Sequence, residues 1–154
     1  MSKHHARGTA AVLLLFAAGC GVQPTGVITG ASPPSGAALE SAAVIVYLLR
    51  NGELAATPRD AEPRSRADTL ALLANGPTDE ERARGLTSEV PGSAAPFSVS
   101  AGPAGTVVTV SRSVDALSDT AIGQIVCTAG GPGEYVTVRG DGRSRGPLSC
   151  PVTG

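Results

Sequence analysis

The chain reads as a small α+β domain, a mixed β-sheet with two amphipathic helices packed on it. Three observations predict this. Ala42 to Leu49 is a near-continuous apolar run followed at once by Asn51-Gly52, residues 66–74 and 116–129 carry apolar residues at helical spacing, and residues 135–139 alternate polar with apolar. Short apolar runs between turn signals suit strands, the helical period suits helices, and strict alternation suits a half-buried strand.

Taken in order, Ala42 to Leu49 is expected to be a central strand buried on both faces. Asn51-Gly52 supplies the positive φ angles of a tight turn, so Glu53 to Thr57 returns as a weaker edge strand. Pro58 to Ser65 is read as polar connection. Ser65 and Asp68 resemble a capping box for a helix over Arg66 to Ala74, with Leu70 and Leu73 on its buried face and Leu72 beside them. Asn75-Gly76-Pro77 stops that helix. Thr78 and Glu81 make a second box, which opens a short polar helix ending at Gly85. Asp79, Glu80 and Glu81 are read as carboxylates at the positive end of a helix dipole rather than as a cation site. No metal ligand is assigned.

Phe97 to Ser100 and Thr106 to Ser111, with Gly102 and Gly105 between them, read as a second hairpin. Ala116 to Thr128 sets Ala121, Ile122, Ile125, Val126 and Ala129 on one helical face, and Gly130-Gly131-Pro132-Gly133 ends it. Tyr135 to Arg139 follows as a strand, with Tyr135, Thr137 and Arg139 on one face and Val136 and Val138 on the other. Residues 140–154 are turn-rich, with one short edge strand expected near Cys150. Arg139-Gly140-Asp141 matches an adhesion tripeptide, but it continues through Gly142-Arg143-Ser144-Arg145 as an ordinary exposed turn. Contact of these arginines with acidic lipid or wall polymer is the alternative to simple solvation.

The chain opens with Lys3 and Arg7, an apolar run from Thr9 to Phe16, and small residues leading to Cys20. This is the layout of a secretory signal peptide. The run, about ten residues, is short of the roughly 20 needed to span a bilayer. Ala17-Ala18-Gly19-Cys20 resembles the lipobox of bacterial lipoproteins, which implies a diacylglyceryl group on Cys20 and a lipid anchor on the extracytoplasmic face of the cell membrane. Two acyl chains suffice for stable anchoring. An ordinary signal peptide cut near Gly19 is the alternative. Residues 1–19 are then the leader, 20–40 the lipidated cysteine with a flexible Gly, Pro, Ser and Thr linker, and 41–154 the folded domain.

Without the leader the chain carries ten Arg against 13 Asp and Glu and no Lys. That balance argues against nucleic acid as a partner. Both histidines, His4 and His5, lie in the leader, so the mature domain has no imidazole base for a Ser-His-Asp or Cys-His nucleophile. No catalytic residue and no cofactor is assigned. Cys127 and Cys150 are the two thiols left beside Cys20, an even pair that oxidises outside the cytosol. A structural disulfide is expected, since the pair lacks the Cys-x-x-Cys spacing of a redox site.

Val44 to Leu54, where a hydrophobic strand meets a turn and a returning strand, and Leu72 to Ser88, where Leu-Leu-x-x-Gly-Pro-Thr leads into Gly85-Leu86-Thr87-Ser88, resemble the GerM-type domain. The resemblance to this family, the sporulation and spore germination domain of envelope lipoproteins, covers roughly residues 42–140. The resemblance implies a non-catalytic α/β fold like the ring-building motif of secretion and envelope-channel proteins. Cys127 and the glycine-rich break after it depart from the family's pattern. Three function classes follow: an anchored interaction or assembly module, a lipoprotein binding a small ligand or cell-wall fragment, and an enzyme working with Asp, Glu or Arg alone. The first is the expectation, with envelope proteins or cell-wall components as partners. A cleft lined by charged residues would favour the second.

Overall fold

The computed structural model describes residues 43–131 and 133–152. Cys20, the signal peptide and the linker lie outside them. The α+β class is as expected. The described residues form β1 (Ala43–Arg50), β2 (Glu53–Asp60), α1 (Arg66–Ala74), α2 (Asp79–Ala83) and β3 (Leu86–Thr87), then β4 (Ser98–Gly102), β5 (Gly105–Thr109), α3 (Asp119–Ala129), β6 (Tyr135–Gly140) and β7 (Arg143–Ser149). The strands divide between two sheets: an antiparallel one in the order β2-β1-β3 and a mixed one in the order β4-β5-β6-β7. Only β5 and β6 run parallel, joined by the crossover that contains α3.

Asn51 and Gly52 turn the first hairpin with φ of 54° and 83°, the left-handed pair that matches strand twist. β1 is central in its sheet, but it is not buried on both faces. Val46 and Leu48 are fully enclosed while Ile45 is 41% exposed and Tyr47 half-buried, because among the described residues no element lies over that part of the outer face. β2 continues three residues past the expected end at Thr57, taking in Pro58, which an edge strand tolerates because its missing N–H faces no neighbour.

Capping follows the sequence closely. Ser65 Oγ accepts from the Asp68 N–H at 3.1 Å, but Asp68 Oδ2 accepts from the Arg64 N–H instead of closing the box on Ser65. At α2 both halves of the Thr78–Glu81 box are made. α3 begins at Asp119, with Ser118 as its N-cap and a short 3₁₀ turn over Val114–Ala116 before it.

The core joins Val46 and Leu48 of β1, Leu70 and Leu73 of α1, Ile122 and Ile125 of α3, and Val108, Val136 and Val138 of the mixed sheet. Each such side chain contributes roughly 1.5 to 3 kcal/mol on full burial. β3 covers only the last two residues of β1. Further up, α3 takes the place of a strand: the Tyr47 N–H donates to Thr128 Oγ1 at 3.0 Å and Gln124 Nε2 donates to the Tyr47 carbonyl at 2.9 Å. Gln124 is wholly buried and its Oε1 also accepts from the Glu89 N–H at 2.9 Å.

The largest correction concerns the tail. Instead of one short edge strand near Cys150, β7 is a seven-residue strand antiparallel to β6, with a register shift between Val136 and Val138. Asp141 and Gly142, with φ of 52° and 73°, make the turn before it. Arg139-Gly140-Asp141 therefore straddles a strand end and a turn, and its glycine is buried: a Cβ there would meet the Arg112 carbonyl at 2.2 Å. Arg143 pairs with Asp115 at 3.1 Å and Arg145 with Asp119, so both arginines bind β7 to the segment that leads into α3. The Cys127–Cys150 disulfide, with Cα atoms 4.7 Å apart, fixes the end of β7 to the last turn of α3.

Candidate functional site

Two features have the exposure that a contact surface needs. The first is the outer face of the mixed sheet. Cross-strand register places Ser98, Thr109, Arg139 and Ser144 in one row, Ser100, Val107 and Thr137 in the next, and Tyr135 beside Ser149 in a third. The alternate residues Val108, Val136 and Val138 point inward to the core and are fully buried. All the helices contacting this sheet lie on that inner side, so the outer face is open among the described residues. Its only large apolar side chain is Tyr135, 55% exposed. Around it the face is hydroxyl-rich, with Arg139 as its one charge among the described residues.

Gly105 allows the close approach of β5 and β6 beside Tyr135. Its φ is 116°, and a Cβ there would stand 2.2 Å from the Tyr135 carbonyl, so only glycine lets the two strands meet. Glu134, just before Tyr135, fixes the entry to β6. Its Oε1 accepts from Arg66 Nη1 at 2.7 Å and from the Thr106 hydroxyl, and its Oε2 accepts from the Gly131 N–H at 3.1 Å. The Arg66 guanidinium, helped by Thr106 and Gly131, lowers the Glu134 carboxyl to about 2.

The second feature is a pair of shallow clefts that share Ala61 and Leu72. One, of about 350 Å³, is bordered by Glu62, Arg64 and Asp68. The other, of about 420 Å³, is bordered by Arg59, Asp60, Glu80, Glu81 and Arg84. Both fall in the size range of ligand pockets. In the larger one, however, the two most buried charges are turned toward each other. Arg59 Nε donates to Glu81 Oε1 at 2.9 Å and Nη2 to Oε2 at 2.6 Å, while Nη1 and Nη2 reach the Leu72 and Gly76 carbonyls at 2.7 and 2.8 Å. Glu81 Oε2 also accepts from the Thr78 N–H at 2.7 Å. Arg59 leaves Glu81 below the ordinary carboxylate value of 4.5. What faces solvent in this cleft is Asp60, Glu80 and Arg84, all exposed.

Glu81 thus differs from its two neighbours in the acidic triplet: Asp79 and Glu80 are exposed at the helix start, whereas Glu81 is 3% exposed and neutralised by Arg59. Among the described residues no group of three His, Cys, Asp or Glu side chains comes together to hold a metal ion. Sequence reasoning missed the Arg59–Glu81 clamp and the strand-like role of Gln124 and Thr128. The capping box flagged Glu81, but nothing in the spacing singles out Arg59, 22 residues away.

No family model, no curated protein and no solved structure matches the chain.

Proposed function

We propose that the chain is a membrane-anchored extracytoplasmic lipoprotein whose domain is a non-catalytic interaction or assembly module of the bacterial cell envelope, of the GerM type. The observation that carries this reading is the open outer face of the β4–β7 sheet, where Tyr135 stands among small hydroxyl side chains. A nearly neutral face with one aromatic anchor suits a protein surface: aromatic residues are enriched at interface centres and charges depleted there. The oxidised Cys127–Cys150 pair supports an extracytoplasmic location. The lipid anchor rests on Cys20 and the segment before it, and the GerM assignment rests on the element order and motifs between Val44 and Ser88.

The test is cross-linking in intact native membranes from a photoreactive residue at Thr137, with a Cys20→Ala control that releases the protein from the membrane. Recovery of specific envelope proteins, lost in the control, supports the module and identifies its partners. An unchanged membrane fraction after Cys20→Ala overturns the lipoprotein premise.

The second reading, a lipoprotein that binds a small ligand or cell-wall fragment, is favoured by the cleft bordered by Asp60, Glu80 and Arg84. Calorimetric titration with soluble peptidoglycan fragments tests it. Binding that is lost in Glu80→Gln with Arg84→Gln moves the function to the cleft.

A further inference from the structure

We propose that β4 pairs with β4 of a second copy of this chain, antiparallel about Ser100, joining two mixed sheets into one. The inference deepens the interaction-module reading and rests on it, since it names the partner for one edge of the open sheet. β4 is the terminal strand of its sheet and pairs only with β5. A terminal strand presents a row of unpaired N–H and C=O groups, and natural edges are blunted by charge, proline, bulges or a covering segment. The other long edges are blunted in this way. β7 carries Arg143, Arg145, Pro147 and a register shift, and β2 carries Glu53, Pro58, Arg59 and Asp60. β4 has none of these devices: its sequence is Ser-Val-Ser-Ala-Gly. Among the described residues no side chain or loop bonds to its backbone.

A second copy fits this edge better than a charged partner does. The hairpin lies within an uncharged stretch of 22 residues, Val90 to Ser111, on a domain with net negative charge. Two copies can therefore meet here without juxtaposing like charges. The strand is also self-complementary. In the two-residue hairpin closed by Gly102 and Gly105, the backbone groups of Gly102, Ser100 and Ser98 face β5, and those of Val99 and Ala101 face outward. A two-fold axis through Ser100 sets Val99 opposite Ala101 of the second copy, so the outward groups pair in both directions. It also covers Val99, half-buried at the rim of the core, and the exposed Ala101. The interface is isologous.

The same geometry supplies the test. Ser100 would face its own copy as a non-hydrogen-bonded pair, with Cα atoms about 4.5 Å apart, within the span of a disulfide. The full chain carrying Cys20→Ala, exported and free of the membrane, is expected to sediment at twice the chain mass at micromolar concentration. Adding Ser100→Cys should give a covalent dimer that dithiothreitol separates, while Ser144→Cys, on the same face but on β7, should not. Adding Ser100→Arg instead sets like charges opposite each other and should give the monomer mass with an unchanged thermal midpoint. A monomer mass for the parent, equal cross-linking at Ser144→Cys, or an undiminished dimer in Ser100→Arg each overturns the pairing. If the parent is monomeric while envelope proteins are still captured from Thr137, the interaction module stands without self-pairing. If that capture is also absent, both fall.

Discussion

The buried Arg59–Glu81 pair predicts the largest response to a near-isosteric change. Glu81→Gln keeps the shape of the side chain but removes its charge and turns an acceptor into a donor. With the amide oxygen at the Oε2 position, where it can still serve Arg59 Nη2 and the Thr78 N–H, the amide nitrogen faces Arg59 Nε–H across 2.9 Å, donor against donor. The Arg59 side chain, 10% exposed, is left as an uncompensated charge. Removing one partner of a buried pair costs about 3 to 5 kcal/mol, a large fraction of the roughly 5 to 15 kcal/mol that holds a domain folded. The assay is urea unfolding followed by circular dichroism. With a slope of about 1 to 3 kcal/mol per molar, the midpoint should fall by at least about 1 M. Arg59→Met combined with Glu81→Leu should recover most of that loss, because apolar residues of similar volume replace a buried pair at little cost. A fall in stability of less than about 1 kcal/mol, the size expected of an exposed pair, would refute the claim that this clamp holds β2 to the α1–α2 turn.

Three further outcomes rest on other contacts of the fold. Gln124→Leu leaves the Tyr47 carbonyl and the Glu89 N–H without partners, so it should cost about 2 to 4 kcal/mol and speed hydrogen exchange at the Glu89 amide. Cys127→Ser with Cys150→Ser opens a loop of sequence separation 23 and should lower stability by about 3 kcal/mol in chemical denaturation. The Glu134 carboxyl, lowered from 4.5 to about 2, contributes stability that is fully present above pH 4.5 and lost as pH falls toward 2. Glu134→Gln should flatten the acid limb of the stability profile in that window, and an unchanged limb would count against the Arg66–Glu134 contact.

How much of this was legible depended on whether the deciding physics was local. The Asn51-Gly52 turn, the Ser65 and Thr78 caps and the buried faces of α1 and α3 all follow from contacts within a few residues, and they appear where spacing placed them. Strand partnership is not local: nothing in the patterns of β1 and β6 says that they belong to different sheets. β7 is not legible because Arg-Ser-Arg-Gly-Pro-Leu-Ser has little strand propensity of its own. It is extended because β6 offers it a ladder, Asp115 and Asp119 hold its arginines, and Cys127 holds its end. Arg59 reads as part of a polar connection for a related reason, since its burial depends on a carboxylate brought up by a separate helix. The open sheet face is half legible: alternation puts Tyr135, Thr137 and Arg139 together, but only the packing shows that no helix among the described residues covers them.

The stapled β7 also gives the mixed sheet a direction. A sheet with two welcoming ends can recruit copies without limit and grow into a fibre. Here one end is sealed by arginines, a proline, a shifted register and a covalent bond to α3. Any strand recruited at β4 therefore meets a sheet that cannot extend on its far side, and assembly along the hydrogen-bonding direction halts after one addition. Under the proposed lipid anchor, which would confine the domain to a surface where crowding favours runaway stacking, that built-in stop would separate a countable complex from an aggregate.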